Sequence, residues 1–76
     1  MLKALIEAMV APLVDFPEQI VVHQREEQHK VIYQLQVHES DIGKVIGKDG
    51  RNARAFRAVL RAASADHEKR IYLDIV

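Results

Sequence analysis

The run Ile42-Gly43-Lys44-Val45-Ile46-Gly47-Lys48-Asp49-Gly50-Arg51 decides how this chain folds. Gly47 and Gly50 stand three residues apart between basic neighbours. Glycines so placed break a helix, because they accept backbone angles that other residues resist. The segment therefore reads as a short helix, a tight loop and the start of a second helix. Ser40 is the expected N-cap of the short helix, with Asp41 in its first turn to complement the helix dipole. The second helix is predicted over residues 51–65, rich in alanine and arginine. On a helical wheel Phe56, Val59, Leu60 and Ala63 share one side, and Arg51, Arg54, Arg57 and Arg61 lie opposite.

Working upstream, Val31, Tyr33, Leu35 and Val37 alternate with Ile32, Gln34, Gln36 and His38. That period of two predicts a strand over 31–38 with one face buried. A polar turn, Glu26 to His29, separates it from a strand over 20–26 that begins Ile20-Val21-Val22. Leu2, Leu5, Ile6, Met9 and Leu13 recur at spacings of three and four, which predicts a helix over 2–14. Pro12 should kink or fray its last turn. Asp15 to Glu18 is a connector, where Pro17 disfavours helix at Phe16. Downstream, a charged loop over 66–69 leads to a last strand in which Ile71, Leu73 and Ile75 alternate with Tyr72, Asp74 and Val76. The expected order is helix-strand-strand-helix-helix-strand. This is an α+β chain with a three-stranded sheet and its helices on one face. The helical pair is a crossover long enough to let the second and third strands lie parallel.

Seventy-six residues allow one domain, 1–76, and a chain this short buries only about 60% of its unfolded surface, which favours association. Half of the residues are hydrophobic and 29% are charged, the composition of a folded chain and not of a disordered tail. The absence of cysteine excludes a disulfide scaffold, a thiolate zinc site and a cysteine nucleophile. No apolar run reaches the roughly 18–20 residues that span a bilayer. Glu7 interrupts the apolar start and no small-residue cleavage site follows, so residues 1–14 read as a helix of the mature protein. The cytoplasm is the expected compartment. Net charge is zero, but its distribution is uneven. Residues 40–63 hold Lys44, Lys48, Arg51, Arg54, Arg57 and Arg61 against Asp41 and Asp49, a net of +4. Such asymmetry points to an anionic ligand on one face.

The glycine loop brings backbone close to whatever docks there, and the helix after it aims its N-terminal amides at the same place, an arrangement that favours phosphate. Lys48 and Arg51 add charge, and Lys44 sits one turn before Lys48. Gly43 is expected to allow close approach of a backbone, and Val45 and Ile46 to pack the core or line a groove. Arg51 and Arg54 are candidates for ligand contact, whereas Arg57 and Arg61 read as solubility or partner contacts further along the helix. Nothing here is set up to break a bond. Gly43 to Lys48 is one residue short of a P-loop, and Asp49 stands where the magnesium-holding Ser or Thr belongs. No Ser-His-acid set or paired carboxylate stands out, so the chain reads as a binder with no cofactor. The histidines show no metal spacing, although His23 and His38 are expected to be neighbours across the hairpin. Of the four aromatics, Tyr33 and Phe56 fall on buried faces, leaving no stacking platform.

The run VIGKDGR between two helices resembles the GXXG loop of KH domains, with Gly47 and Gly50 as its glycines and Lys48 and Asp49 as the variable pair. The element order resembles the prokaryotic type II arrangement, and the length and the wider run SDIGKVIGKDGRNARAFR resemble the KhpA family of small bacterial single-KH proteins. The resemblance spans essentially the whole chain. It implies a groove that takes about four nucleotides of single-stranded RNA. It implies RNA-contact roles for Gly43, Lys44, Ile46, Gly47, Lys48, Asp49, Gly50, Arg51 and Arg54. It also implies an RNA chaperone-like regulator tied to cell shape, cytoplasmic, that forms a homodimer or pairs with a second KH protein of the KhpB type. Two residues depart from the pattern. Asp49 places an acid in the loop, where it is expected to cap the second helix, and Ala53 replaces a bulky aliphatic, with Phe56 expected to fill the core beneath. The acid and the zero net charge keep a second reading open, a KH-fold dimerisation module with little RNA affinity. A third is a helix-turn-helix DNA binder, against which the short first helix of the pair and the flanking sheet count.

Overall fold

The computed structural model describes residues 2–64 and 69–76. Helix α1 (Leu2–Val10) buries Leu2, Ile6 and Val10, spaced four apart on one face. It ends at Val10 and tightens into a 3-10 turn at Ala11–Leu13. Pro12 lacks the N–H for the bond to residue 8, and its ring crowds that carbonyl. A second such turn, Pro17–Gln19, leads into strand β1 (Val21–Glu26), which a short turn joins to β2 (Lys30–Gln36). Helices α2 (Ile42–Ile46) and α3 (Arg51–Ala63) follow, and then β3 (Arg70–Ile75). This is the expected order, although the predicted end of α3 at Ala65 and most of the charged loop lie outside the described residues.

The three strands form one sheet in the order β1-β2-β3, with β1 antiparallel and β3 parallel to β2. The α2–α3 crossover supplies the length that parallel pairing needs. Val22, Val31, Tyr33, Leu35, Val37 and Leu73 carry the buried face of the sheet side into one cluster. Leu2, Ile6 and Val10 of α1, Val45 of α2, and Phe56 and Leu60 of α3 meet them. Each large side chain so buried contributes about 1.5–3 kcal/mol. The exposed ion pairs, at about 0–1 kcal/mol, are minor beside this.

Local expectations needed correction in several places, among them Val59 and Ala63, which are exposed although Phe56 and Leu60 beside them are buried. Ile32 is buried as well as its alternate neighbours, because β2 is the central strand and Ile32 is flanked in register by Arg25 and Tyr72. His38, not Ser40, is the first cap: its Nδ1 accepts the Ser40 amide at 3.1 Å and starts a 3-10 turn, Glu39–Asp41, that leads into α2. His23 and His38 are not neighbours, since His23 pairs with Gln34 and His38 stacks on Phe16 with ring centroids 4.3 Å apart.

Candidate nucleic-acid interface

The turn between α2 and α3 is built on left-handed backbone. Gly47, Asp49 and Gly50 have φ of 77°, 58° and 76°. Gly47 must be glycine for a second reason. A Cβ there would lie 2.7 Å from Asn52 Cγ and 2.9 Å from the Asn52 amide nitrogen. Asn52 is held in place because its Nδ2 donates to the Lys44 carbonyl at 3.0 Å, closing the C-terminal end of α2. Gly50 faces open space, so its φ alone calls for glycine. Asp49 is among the few non-glycine residues that tolerate this region.

Asp49 does not cap α3. Gly50 occupies the cap position and no side chain bonds there. A capping side chain must stand at that position in extended backbone, and Asp49 is one residue early and left-handed. The Arg51 amide donates to the Lys48 carbonyl, and no side chain closes the helix start. Lys48, Asp49 and Arg51 are exposed, so the loop faces solvent. Arg54 folds back on it, its Nη2 donating to the Asp49 carbonyl at 2.8 Å, which carries a second guanidinium to the loop.

Beside the loop lies an open cleft of about 400 Å³. Ile46, Ala53 and Ile75 give it an apolar part, Gly50 one edge, and Arg54, Arg57 and Asp74 a charged rim. Phe56 is in the core as expected, and Ala53, too small to fill this place, lines the cleft. Arg57 donates to the Leu73 carbonyl at 3.2 Å and ties α3 to β3. Arg57, Asp74 and Ile75 were not among the site residues read from the sequence. Arg57 lies one turn from Arg54, which was a usable hint, but Asp74 and Ile75 join only because β3 runs beside α3.

Two sequence-predicted site residues sit differently. Lys44 is two positions from Ile46, about 200° around the helix, and so turns away from the cleft. Its ammonium bonds the Asp15 carboxylate and lies 3.5 Å from Asp41 Oδ1. The bond to Asp15 raises the pKa of Lys44, against a smaller opposing effect of burial. Gly43 is exposed on α2 and a Cβ there would meet nothing within 4 Å, so the neighbouring helix does not require glycine.

Asp41 anchors this other side of α2. Its side chain is fully buried, and Oδ1 and Oδ2 accept the amides of Asp15 and Phe16 at 3.2 and 3.1 Å. Burial pushes its carboxyl up and is the largest single influence. The two amides and Lys44 together outweigh it and hold the carboxyl below its ordinary value. Sequence reading placed Asp41 at the helix dipole and missed this bolt, because its partners lie 25 and 26 residues away. Among the described residues no group of His, Cys, Asp and Glu is arranged to hold a metal ion, and no helix is long and apolar enough to cross a membrane.

A family model described as "KhpA/KhpB, KH domain" matches residues 3–75. A protein of Oceanobacillus iheyensis named RNA-binding protein KhpA is 59% identical over 75 residues, covering 99% of this chain and all of the relative. Proteins of the same name from Bacillus subtilis and Halalkalibacterium halodurans are 45% and 41% identical. The first comparison covers 97% of this chain and 91% of the relative, and the second 99% of each.

Proposed function

The chain belongs to the KhpA/KhpB KH-domain family and has the type II KH fold, and on that premise we propose that it is a non-catalytic binder of single-stranded RNA. The observation that carries this reading is the solvent-facing Gly47–Gly50 turn, with an uncapped helix start behind it and a part-apolar cleft beside it. Phosphates sit against the glycine turn before α3 and the side chains of Lys48, Arg51 and Arg54. Bases turn into the cleft over Ile46, Ala53 and Ile75. The Asp74 carboxylate, which can only accept hydrogen bonds, repels phosphate there and suits the N–H donors of a base edge. Gly47 and Gly50 shape the grip, and Asp49 contributes its left-handed backbone more than its charge. Gly43 leaves the exposed surface of α2 free of a side chain. Lys44 acts indirectly by holding α2 in place. A groove of this kind takes about four nucleotides.

The relatives' name, RNA-binding protein, supports the ligand class. Residues 1–76 then act as one KH domain in the cytoplasm, as an RNA chaperone-like regulator of cell shape. The domain self-associates or pairs with a KhpB-type protein. The test is anisotropy of labelled single-stranded RNA against salt. With three phosphate contacts at about −0.7 each, the expected slope of log affinity against log salt is about −2. Equal affinity for duplex DNA would favour a helix-turn-helix reader instead. The acids Asp49 and Asp74 at the site favour one competing reading, a dimerisation module of the same fold. Absence of RNA binding at low salt, with self-association in sedimentation, would select it.

A further inference from the structure

The helices pack on one face of the sheet, against Val22, Val31, Tyr33, Leu35 and Leu73. Side chains alternate along a strand, so the residues between these point to the other face. There Arg25 of β1, Ile32 of β2 and Tyr72 of β3 form one row across the sheet, and Lys30 of β2 and Arg70 of β3 form the next. Arg25, Lys30, Arg70 and Tyr72 are exposed, and Ile32 is the buried floor between Arg25 and Tyr72.

Charge at this end of the face is one-sided. Arg25 and Lys30 reach toward a single acid, Glu27, at 3.4 and 3.9 Å. Arg70 is the direct partner of Lys30 in register. Like charges side by side on neighbouring strands repel, and an anion between them relieves the repulsion. Lys69 does not belong to the patch, because its partner Glu26 follows Arg25 in β1 and points to the helix face. Asp74, two residues after Tyr72, bounds the patch on β3. Tyr72 is 45% exposed, the most exposed of the four Phe and Tyr rings. It is a platform that the buried Tyr33 and Phe56 do not provide. The Lys30 Nζ stands 5.8 Å from its centroid, at the outer limit of about 6 Å for a cation–π contact, so the ammonium is held loosely and is available to a phosphate. A ring for a base among cations for phosphates suits a single-stranded nucleic acid. A duplex keeps its bases stacked inside, and an acidic peptide would use the cations without the ring.

We infer that this open face of the sheet is a second contact site for single-stranded RNA, in which a base stacks on Tyr72 and a phosphate bridges Lys30 and Arg70. It lies apart from the Gly47–Gly50 turn and its cleft. The choice of ligand rests on the RNA reading above. The test uses the full chain, a single-stranded octauridine and the Lys48→Asp variant, which weakens the other site. The chain has no tryptophan, and Tyr33 is buried, so a change of tyrosine emission on binding reports on Tyr72. Octauridine should still bind Lys48→Asp and quench that emission. In this background Lys30→Glu with Arg70→Glu should weaken the remaining binding about tenfold and flatten its salt slope by about 1.4, two contacts at −0.7 each. Tyr72→Ala should weaken it about fivefold, whereas Tyr72→Phe should keep the affinity and lose the quench. Lys30→Gln with Arg70→Gln serves if circular dichroism shows that the charge reversal unfolds the chain, with the same directions and smaller size. Affinity that moves with neither the cation pair nor Tyr72→Ala overturns the site, as does wild-type binding without a quench. Loss of all binding in Lys48→Asp keeps the RNA reading at the turn and removes the second site. Binding that ignores Lys48→Asp and is lost in the sheet variants does the reverse. A wild-type chain that binds no octauridine removes both.

Discussion

Lys44 and Lys48 stand one helical turn apart, yet the fold gives them opposite uses. Within α2, Lys44 is locked between Asp15 and the buried Asp41, and that network fastens the connector after α1 to the helix. Beyond the C-terminal end, Lys48 projects into solvent from the turn before α3. The same charge is spent on folding at one end and is available for a ligand at the other. The difference lies in whether acids from elsewhere in the chain are within reach, not in the residue type.

Charge reversal at the open end is the strongest way to test this contrast. Lys48→Asp should weaken RNA binding about tenfold or more, removing one phosphate contact and adding repulsion, with circular dichroism and melting temperature unchanged. A variant that binds as the wild type does would break the contrast outright. At the closed end the effect should fall on stability. Asp41→Asn turns an acceptor toward a backbone amide into a donor, and should lower the melting temperature by several degrees while the folded fraction keeps its RNA affinity.

The same bolt sets a pH dependence. The folded-state pKa of Asp41 is depressed, so its stabilisation is full above the unfolded value of about 3.9 and is lost as pH falls through the lower folded value. Thermal melts below about pH 4 should therefore fall more steeply for the wild type than for Asp41→Asn.

Within the turn, Gly50→Ala should cost about 1–2 kcal/mol by urea unfolding, the price of a left-handed alanine, because nothing crowds its Cβ. Gly47→Ala should cost more, since Asn52 must move as well. The smallest effect is expected from Lys44→Gln. Its pairs are part-exposed, so the loss is about 0–1 kcal/mol, with little change in RNA affinity. A large loss of RNA affinity in that variant, with stability kept, would show that the two lysines are not divided in this way.

Much of this was legible in the residues because it is local. The period of two in Val31–Val37, the spacing of Leu2, Ile6 and Val10, and the glycines at 47 and 50 each report backbone geometry within a few residues. The open turn and its basic flanks were legible for the same reason. Features with distant partners were not. Asp41 looked like an ordinary first-turn acid because nothing nearby in sequence marks Asp15 and Phe16 as its donors. Asp49 looked like a cap because its left-handed backbone is not written in its neighbours. Arg57 looked like a solubilising residue because its carbonyl partner, Leu73, lies 16 residues away.

What the sequence alone determined is the order of elements, the family resemblance and the position of the glycine turn, since periodicity, glycine placement and motif are carried by neighbouring residues. Only the tertiary structure decided which lysine is free and which acid is buried. It also decided that β3 lies along α3 to make the cleft. Those are facts of distance, and electrostatic pairing depends on separation in space, which the chain's own order does not record.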